Sequence, residues 1–483
     1  MDGVLQDPWA LLTGAAIFLA AAYALGHVLV KKRDSRGAVA WAGLILFVPA
    51  LGVALYYIFG VNRVARRAGK LTGLRPTGAS GHGDEVGDAR AVRAALPQEQ
   101  GYLEHIARRV DVLATRPLVS GNRVEAFDSG DAAYPAMLSA IDRAERTLAL
   151  SSYIFRNDGI GGRFVDALER AQDRGVEVRV LVDGVGGFLS RPTVARPLRR
   201  AGVPVERFLY SLVPWRMPYL NLRNHAKLLI ADGRVAFTGG INIKDACLLE
   251  RAGEAGVADV HFRLSGPVVA QAAERFAADW RFTTGEALTG DGWFPELPPD
   301  GEMLGRGVES GPDFDENPLR WTLLSAIATA RRSIRIVTPY FLPDETVLSA
   351  LRIAAAGGVS IDIVTPERLD HRLLQWAGRT EQEVALDSGC RVWLTPAPFD
   401  HAKLMTVDGA WSLIGSGNWD MRSLRLNFEY VCEWYDEGFA RSVDGLIDAR
   451  LAKARRLEAS ELANRSLPVK LRDGAAHLLQ PYL

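Results

Sequence analysis

Hydrophobic and polar positions divide the chain into two regimes. Trp9 to Val30 holds no charged residue, and neither does Gly37 to Gly60. Each stretch is long enough to cross a hydrocarbon core of roughly 30 Å as a helix. Lys31-Lys32-Arg33 and Arg36 separate them, and Arg63, Arg66, Arg67 and Lys70 follow the second. Together they predict a membrane hairpin over residues 1–62, with transmembrane segments at 9–30 and 37–60. A cleaved signal peptide is disfavoured, because Met1 to Pro8 carries Asp2 and Asp7 but no basic residue. The basic loop between the segments predicts a cytoplasmic turn, while the basic cluster after them pulls the other way, so sidedness stays open. Pro49 and Gly52 leave room for a broken or shallow second segment.

Residues 63–122 read as a linker, Gly-rich and polar from Leu71 to Arg90, followed by a short helix at Glu99–Leu113. From Arg123 onward strand and helix patterns alternate, which predicts an α/β architecture. Thr147–Phe155 reads as a strand, Gly162–Arg174 as a helix and Val176–Asp183 as a buried strand. The second half repeats the order, with a helix at Pro318–Arg332, a strand at Ile334–Phe341, a helix at Thr346–Ala356 and a strand at Val359–Thr365. The simplest account is a duplicated α/β unit, with domains at 123–285 and 318–483. Residues 286–317, rich in Gly, Pro and acid, would connect them.

The duplication carries chemistry. His225-Ala-Lys227 with Asp232, and His401-Ala-Lys403 with Asp408, are two copies of H-x-K-x4-D, 176 residues apart. One such match in a chain of this length has a chance probability on the order of a few per cent. Two in the same register leave chance a poor explanation, since each continues into Gly239-Gly240-Ile241-Asn242 or Gly415-Ser416-Gly417-Asn418. Each motif reads as a β-hairpin turning at Asp232-Gly233 or Asp408-Gly409. His and Lys, two apart on a strand, then share a face. His, Lys and Asn can converge on one phosphate, with Gly239-Gly240 or Gly415-Ser416 offering backbone N–H groups. Asp232 and Asp408, at turn positions, read as structural or Lys-pairing residues.

Facing each other, two such clusters make a phosphodiester catalyst. One neutral imidazole attacks phosphorus, and the other, protonated, serves the leaving alkoxide. The lysines and asparagines stabilise charge on the non-bridging oxygens, so the chemistry needs neither metal nor cofactor.

On these residues the chain resembles the phospholipase D superfamily, whose HKD motifs take this form. The likeness implies two similar α/β/α sandwich domains in a pseudo-two-fold arrangement. It also implies a Glu or Asp farther along each half that orients the histidine. Glu429 fits that role after His401, and Asp259 is the counterpart after His225 if six extra residues are allowed. Gly240 stands where the second copy has Ser416, so the half-sites should differ in hydroxyl donation. Asn418-Trp-Asp420-Met-Arg422-Ser423-Leu-Arg-Leu-Asn427-Phe-Glu429 is similar to the second-motif extension of bacterial cardiolipin synthases. So are Asn224-His225 with Phe237 to Ile243, and Arg36 to Trp41 with Phe47-Val-Pro49 and Tyr57 to Gly60. That resemblance implies condensation of two phosphatidylglycerol molecules into cardiolipin and glycerol in the bacterial inner membrane, by a multi-pass protein that can form oligomers. It suggests His225 as nucleophile and His401 as acid/base. The alternative acceptor is water, which would make the protein a lipid hydrolase.

Composition narrows the field. Lys+Arg and Asp+Glu are both 57, and this neutral balance, with the hairpin, weighs against nucleic acid as a partner. Three cysteines (Cys247, Cys390, Cys432) are too few and too scattered for a disulfide framework or zinc site, and Cys247 and Cys432, among apolar neighbours, read as buried small residues. Tyr153 and Tyr340 end inner strands where a site would open, and serve either substrate contact or core packing. Trp215, Arg216, Tyr219 and Arg223 form an aromatic-basic loop suited equally to lipid headgroups or to solvent. His261 reads as a packing residue, and His27 as polar packing within its span.

Overall fold

The computed structural model describes residues 8–32, 35–60, 86–87, 89–114, 116–189, 192–210, 222–312 and 317–480. The basic residues 63–70, most of the 71–90 linker and Trp215, Arg216 and Tyr219 lie outside them.

At the N-terminus, Pro8–Lys31 is a continuous apolar helix. The second predicted span is helical but interrupted: Ser35–Phe47 ends at Val48, whose backbone leaves the helical region (φ −137°, ψ 71°), and Pro49–Leu55 restarts the helix. Pro49 dictates the break, since it has no N–H and disfavours a helical residue before it. Among the described residues one helix, Trp9–Lys31, has the length and hydropathy of a membrane span. The segments pack through Ala24, Val28, Trp41, Ile45 and Tyr56, and Tyr56 Oη lies 2.7 Å from His27 Nδ1.

The remainder is built on one large continuous sheet, with helices packed on it and two small two-stranded pairings beside it. Its first half orders as Val205–Phe208, Glu177–Asp183, Thr147–Ser152, Leu228–Ala231, Val235–Gly239, His261–Ser265 and Leu118–Phe127. The second half runs Arg391–Thr395, Ser360–Pro366, Ser333–Val337, Leu404–Val407, Trp411–Gly415, Glu429–Tyr435 and Met303–Ser310, the same order repeated. Leu118–Phe127 pairs antiparallel with Met303–Ser310, and that pair fuses the two sheets. The local pseudo-two-fold therefore passes between two hydrogen-bonded strands. Apolar alternation drives the packing: Leu148, Leu150, Val178 and Val180 form one core with Tyr134, Ile141, Phe164 and Leu168 of the helices Gly130–Arg143 and Gly159–Asp173.

The strand Met303–Ser310 lies inside the stretch expected to be a connector. Its glycines hid it, yet the fold needs them. A Cβ on Gly305 would sit 2.3 Å from the Trp434 ring, and one on Gly307 2.3 Å from Tyr430 Oη. These rings on the neighbouring strand take the space of side chains. The expected helix Glu99–Leu113 is present as a 3-10 turn Gln98–Leu103 leading into Glu104–Asp111.

Between Gly305 and Gly307, Arg306 is fully buried. Its Nε donates to Glu433 Oε1 at 2.6 Å, and Glu433 Oε2 also accepts from Trp411 and Tyr435. Arg306→Met would strand a charged Glu433, an effect worth about 3–5 kcal/mol when a buried pair loses one member. Denaturant titration of the purified chain should show that loss. An unchanged midpoint would contradict it.

Candidate active site

Both motifs fold as expected hairpins, and the turn residues Asp232 and Asp408 adopt positive φ of 54° and 53°. Their carboxylates do not pair with the motif lysines. Asp232 accepts N–H groups of Glu145, Arg146 and Thr147, and Asp408 accepts those of Arg331, Arg332 and Ser333. Each thereby fastens its turn to the start of the adjoining strand. Their part is structural.

The histidines lie just before the outgoing strands, where the halves interlock. His225 N and Ala226 N both donate to Phe428 O, at 2.9 and 3.1 Å, and Phe428 N donates to Arg223 O. On the other side Phe399–Asp400 pairs parallel with Val257–Ala258, and His401 N donates to Ala258 O at 2.7 Å. Each histidine is therefore zipped onto the segment that precedes the other half's carboxylate.

The pairing is crossed as a result. His225 Nδ1 lies 2.9 Å from Glu429 Oε2, and His401 Nδ1 lies 2.7 Å from Asp259 Oδ2. Sequence offsets match Glu429 with His401 and Asp259 with His225; the structure exchanges them. It does make Asp259 the counterpart of Glu429. Gly239 pairs with His261 and Gly415 with Val431, which puts the two carboxylates at equivalent strand positions. The six extra residues lie between Asn242 and Asp259, a stretch that includes the short helical turns Leu249–Ala252 and Gly253–Ala255.

The imidazole rings face each other with centroids 6.5 Å apart and planes at 76°. Tyr153 meets His225 edge-on at 5.1 Å, and Tyr340 meets His401 at 6.2 Å. Lys227 Nζ donates to His225 O at 2.7 Å, while Lys403 Nζ lies 2.8 Å from His401 Nδ1. The asparagines are buried nearby. Asn242 Oδ1 accepts from Ile154 N, and Asn418 Nδ2 donates to Asp420.

Glu429 is the better supported carboxylate. Ser416 Oγ donates to its Oε2 at 2.6 Å, and Ser423 Oγ and Asn427 Nδ2 donate to its Oε1. Sequence reasoning gave Ser423 and Asn427 no role, although they sit in the extended motif that signals them. In the first half Gly240 is obligatory, because a Cβ there would lie 2.1 Å from Asp259 Oδ1. A serine cannot share that space with the carboxylate. His261, buried beside Gly239, belongs to the core.

Burial dominates the electrostatics. It pushes His225 below the usual imidazole range, against the pull of Glu429. It pushes His401 well below, with Lys403 and Lys227 adding to the effect. Burial alone would raise Glu429, but His225, Lys227 and the Ser416 hydroxyl hold it down to about 2. Asp259 is raised by burial, against Lys403. Burial lowers Lys403, and brings Lys227 down to about 7. Such a pocket favours an anion, which restores charge to bases that burial suppresses.

The chain is similar to known proteins along nearly its whole length. A family model described as the cardiolipin synthase, phospholipase D-like domain matches residues 137–280 and 323–450, and a phospholipase D-nuclease N-terminal model matches 19–60. The chain is 30% identical to a cardiolipin synthase of Oceanobacillus iheyensis, over 98% of this chain and 99% of that one. It is 31% identical to cardiolipin synthase A of Pseudomonas putida, over 95% and 94%. A crystal structure of phosphatidylserine synthase from Haemophilus influenzae shares the fold, with TM-score 0.62 and 14% identity over 78% of this chain and all of that one. The N-terminal match and the apolar helix associate the chain with a membrane.

Lys227 loses its proton as pH rises through about 7 in the empty site, so affinity for an anion should fall there. Calorimetric titration with glycerophosphoglycerol, a soluble phosphodiester, should show weakening of up to about tenfold per pH unit above that point. Constant affinity up to pH 9 would contradict a lysine so displaced. On its sequence and its folded architecture, the chain belongs to the cardiolipin synthase family of phospholipase D-like proteins.

Proposed function

We propose that the chain transfers a phosphatidyl group from one phosphatidylglycerol to another, yielding cardiolipin and glycerol through a phosphohistidine on His225. The observation that carries the order of roles is the surroundings of the two Nδ1 atoms. His225 Nδ1 meets acceptors, Glu429 Oε2 and the Ser416 carbonyl at 3.1 Å. It must hold the proton, so Nε2 presents a lone pair. His401 Nδ1 meets an acceptor, Asp259, and a donor, Lys403 Nζ at 2.8 Å. The donor favours a proton on Nε2 of His401. The nucleophile and the acid thus fall on different halves.

In the first step His225 Nε2 attacks phosphorus and the bond from phosphorus to the glycerol oxygen breaks. His401, protonated once the anionic substrate offsets its burial, gives its Nε2 proton to that oxygen. The ring of the phosphohistidine is cationic, and the ionised Glu429 beside it stabilises that charge. Glycerol leaves, and a hydroxyl of the second phosphatidylglycerol gives its proton to His401 as its oxygen attacks phosphorus. The Nε2–phosphorus bond then breaks and both histidines return to their starting state. Lys227, Lys403, Asn242 and Asn418 would hold the non-bridging oxygens. Two membrane-spanning segments, 9–30 and the broken 37–60, would keep the domains at the lipid surface.

The purified chain given phosphatidylglycerol with a labelled phosphate should form labelled cardiolipin. Phosphatidic acid as sole product would mean that water is the acceptor and would defeat the synthase reading. Rapid denaturation at alkaline pH, where a phosphorus–nitrogen bond survives, should trap label on His225 in a His401→Ala variant and none in His225→Ala, with turnover of each reduced by at least about 10³-fold. Label on His401 would reverse the roles.

A further inference from the structure

Beyond Gly60, nine large apolar side chains are exposed among the described residues, and four of them lie in one stretch: Leu467, Leu471, Leu478 and Leu479. Single exposed leucines need no explanation, but a cluster does. The first three belong to the helix Leu467–His477 and its C-terminal cap, and are 69%, 65% and 77% exposed. At 3.6 residues per turn, Leu467, Leu471, Gly474, Ala475 and Leu478 fall within one arc of about 100° that holds no charged residue. The opposite side carries Ala476 and Asp473, which is 1% exposed. Asp473 Oδ2 accepts from Arg465 at 2.7 Å, and its Oδ1 from Arg472 at 2.6 Å. A helix docked on a water-surrounded domain turns its leucines inward and its acids outward. This one does the reverse, which costs free energy unless another apolar phase covers the leucines.

The helix also touches the wall of the candidate active site. Ala476 joins a buried cluster with Tyr340, Leu342 and Ala377, the last from the helix Arg372–Asp387, and Phe399 packs against that cluster. The rings of Tyr340 and Phe399 lie 6.2 and 5.9 Å from the His401 ring. Gln480 Nε2 donates to Leu342 O and Pro343 O at 3.1 Å each, tying the end of the helix to the segment after Tyr340. The inner face therefore rests against the His401 side, and the leucines point away from it. The charged residues that the helix exposes are Lys470 and Arg472, one on either side of the apolar arc. Arg472 lies over the Trp376 ring, 4.7 Å from its centroid. Two copies of the chain meeting through this face would set these cations side by side. An anionic lipid surface accommodates both the leucines and the charges.

We propose that the outer face of this helix, continued by Leu479, docks in the boundary between headgroups and acyl chains of an anionic bilayer, and holds the His401 side of the site against it. The inference rests on the reading that the substrate is a phospholipid, and deepens it by naming the surface from which that lipid arrives. Four leucines and two cations are too few to anchor a protein by themselves. The contact instead orients a chain that is already associated with a membrane.

The three native cysteines are buried, so a thiol-reactive, polarity-sensitive dye can be placed by single substitution in the full-length protein. In phosphatidylglycerol vesicles, dye on Leu471→Cys or Leu478→Cys should shift to the blue and be quenched by lipids brominated on their acyl chains. Glu177→Cys is the control and should show neither effect. Glu177 is exposed at the start of the strand whose other end, Asp183, accepts from Asn224 N beside His225. Absence of quenching at both leucine positions, or equal quenching at Glu177→Cys, would overturn the docking surface. Leu471→Cys chains that cross-link to one another in place of being quenched would assign the face to a second copy, and overturn it as well. The double variant Leu471→Glu, Leu478→Glu should lose at least about tenfold of its cardiolipin formation on vesicles, the scale of removing one leucine from an apolar phase. It should keep wild-type turnover of dihexanoyl phosphatidylglycerol presented as dissolved monomers. Equal loss on both substrates, or no loss on vesicles, would contradict the assignment. Wild-type protein quenched at both leucine positions yet forming no cardiolipin would refute the transferase reading and leave the surface standing, so the two failures are distinct.

Discussion

The site depends on a buried carboxylate reaching an imidazole across the boundary between two halves. Glu429 against His225, and Asp259 against His401, join residues that are far apart in sequence and belong to different repeats. Neither half can assemble a working pair alone. The backbone makes the crossing unavoidable, because each histidine segment is hydrogen-bonded to the strand leading into the opposite carboxylate. The central antiparallel pair, Leu118–Phe127 with Met303–Ser310, fixes the sheets so that these contacts form. A small shift there would separate both carboxylates from their bases, and a buried base without its partner is costly.

Duplication accounts for the shared machinery, and the two half-sites depart from symmetry. Glu429 accepts hydroxyl and amide donors from Ser416, Ser423 and Asn427, and is held ionised. Asp259 is shorter, crowds Gly240 and stays raised. Lys227 and Lys403 also differ, since only Lys403 approaches the Nδ1 of its own histidine. On the proposed mechanism, these differences would suit one base to attack phosphorus and the other to move a proton.

Much of this is legible in the chain. The alternation of strands and helices, the repeat and the two H-x-K-x4-D motifs can be read directly, because periodicity and exact spacing are local properties. Asp259 is found through the family resemblance, once six extra residues are allowed. What escapes is non-local. Matching each carboxylate to the histidine of its own half follows sequence order, whereas strand pairing between halves sets the partner. Met303–Ser310 is concealed because Gly305 and Gly307 lower its apparent strand preference, and the Trp434 and Tyr430 rings that require them lie far along the chain. Asp232 and Asp408 look able to pair with lysine, yet three backbone N–H groups claim each of them. The second apolar segment has the composition of a span, and Pro49 divides it.

The crossed pairing is open to direct observation without turnover. A histidine Nδ1–H donated to a carboxylate gives a strongly downfield proton resonance, expected here for His225, and nitrogen-15 labelling of the eight histidines, with single substitutions for assignment, would identify it together with the ring-nitrogen signals of His401. Glu429→Gln should shift or remove the His225 proton signal and spare the His401 ring nitrogens, while Asp259→Asn should shift the His401 ring nitrogens and spare the His225 proton. If Glu429→Gln instead perturbed His401 alone, each half would be completing its own site, and the crossed pairing would be wrong.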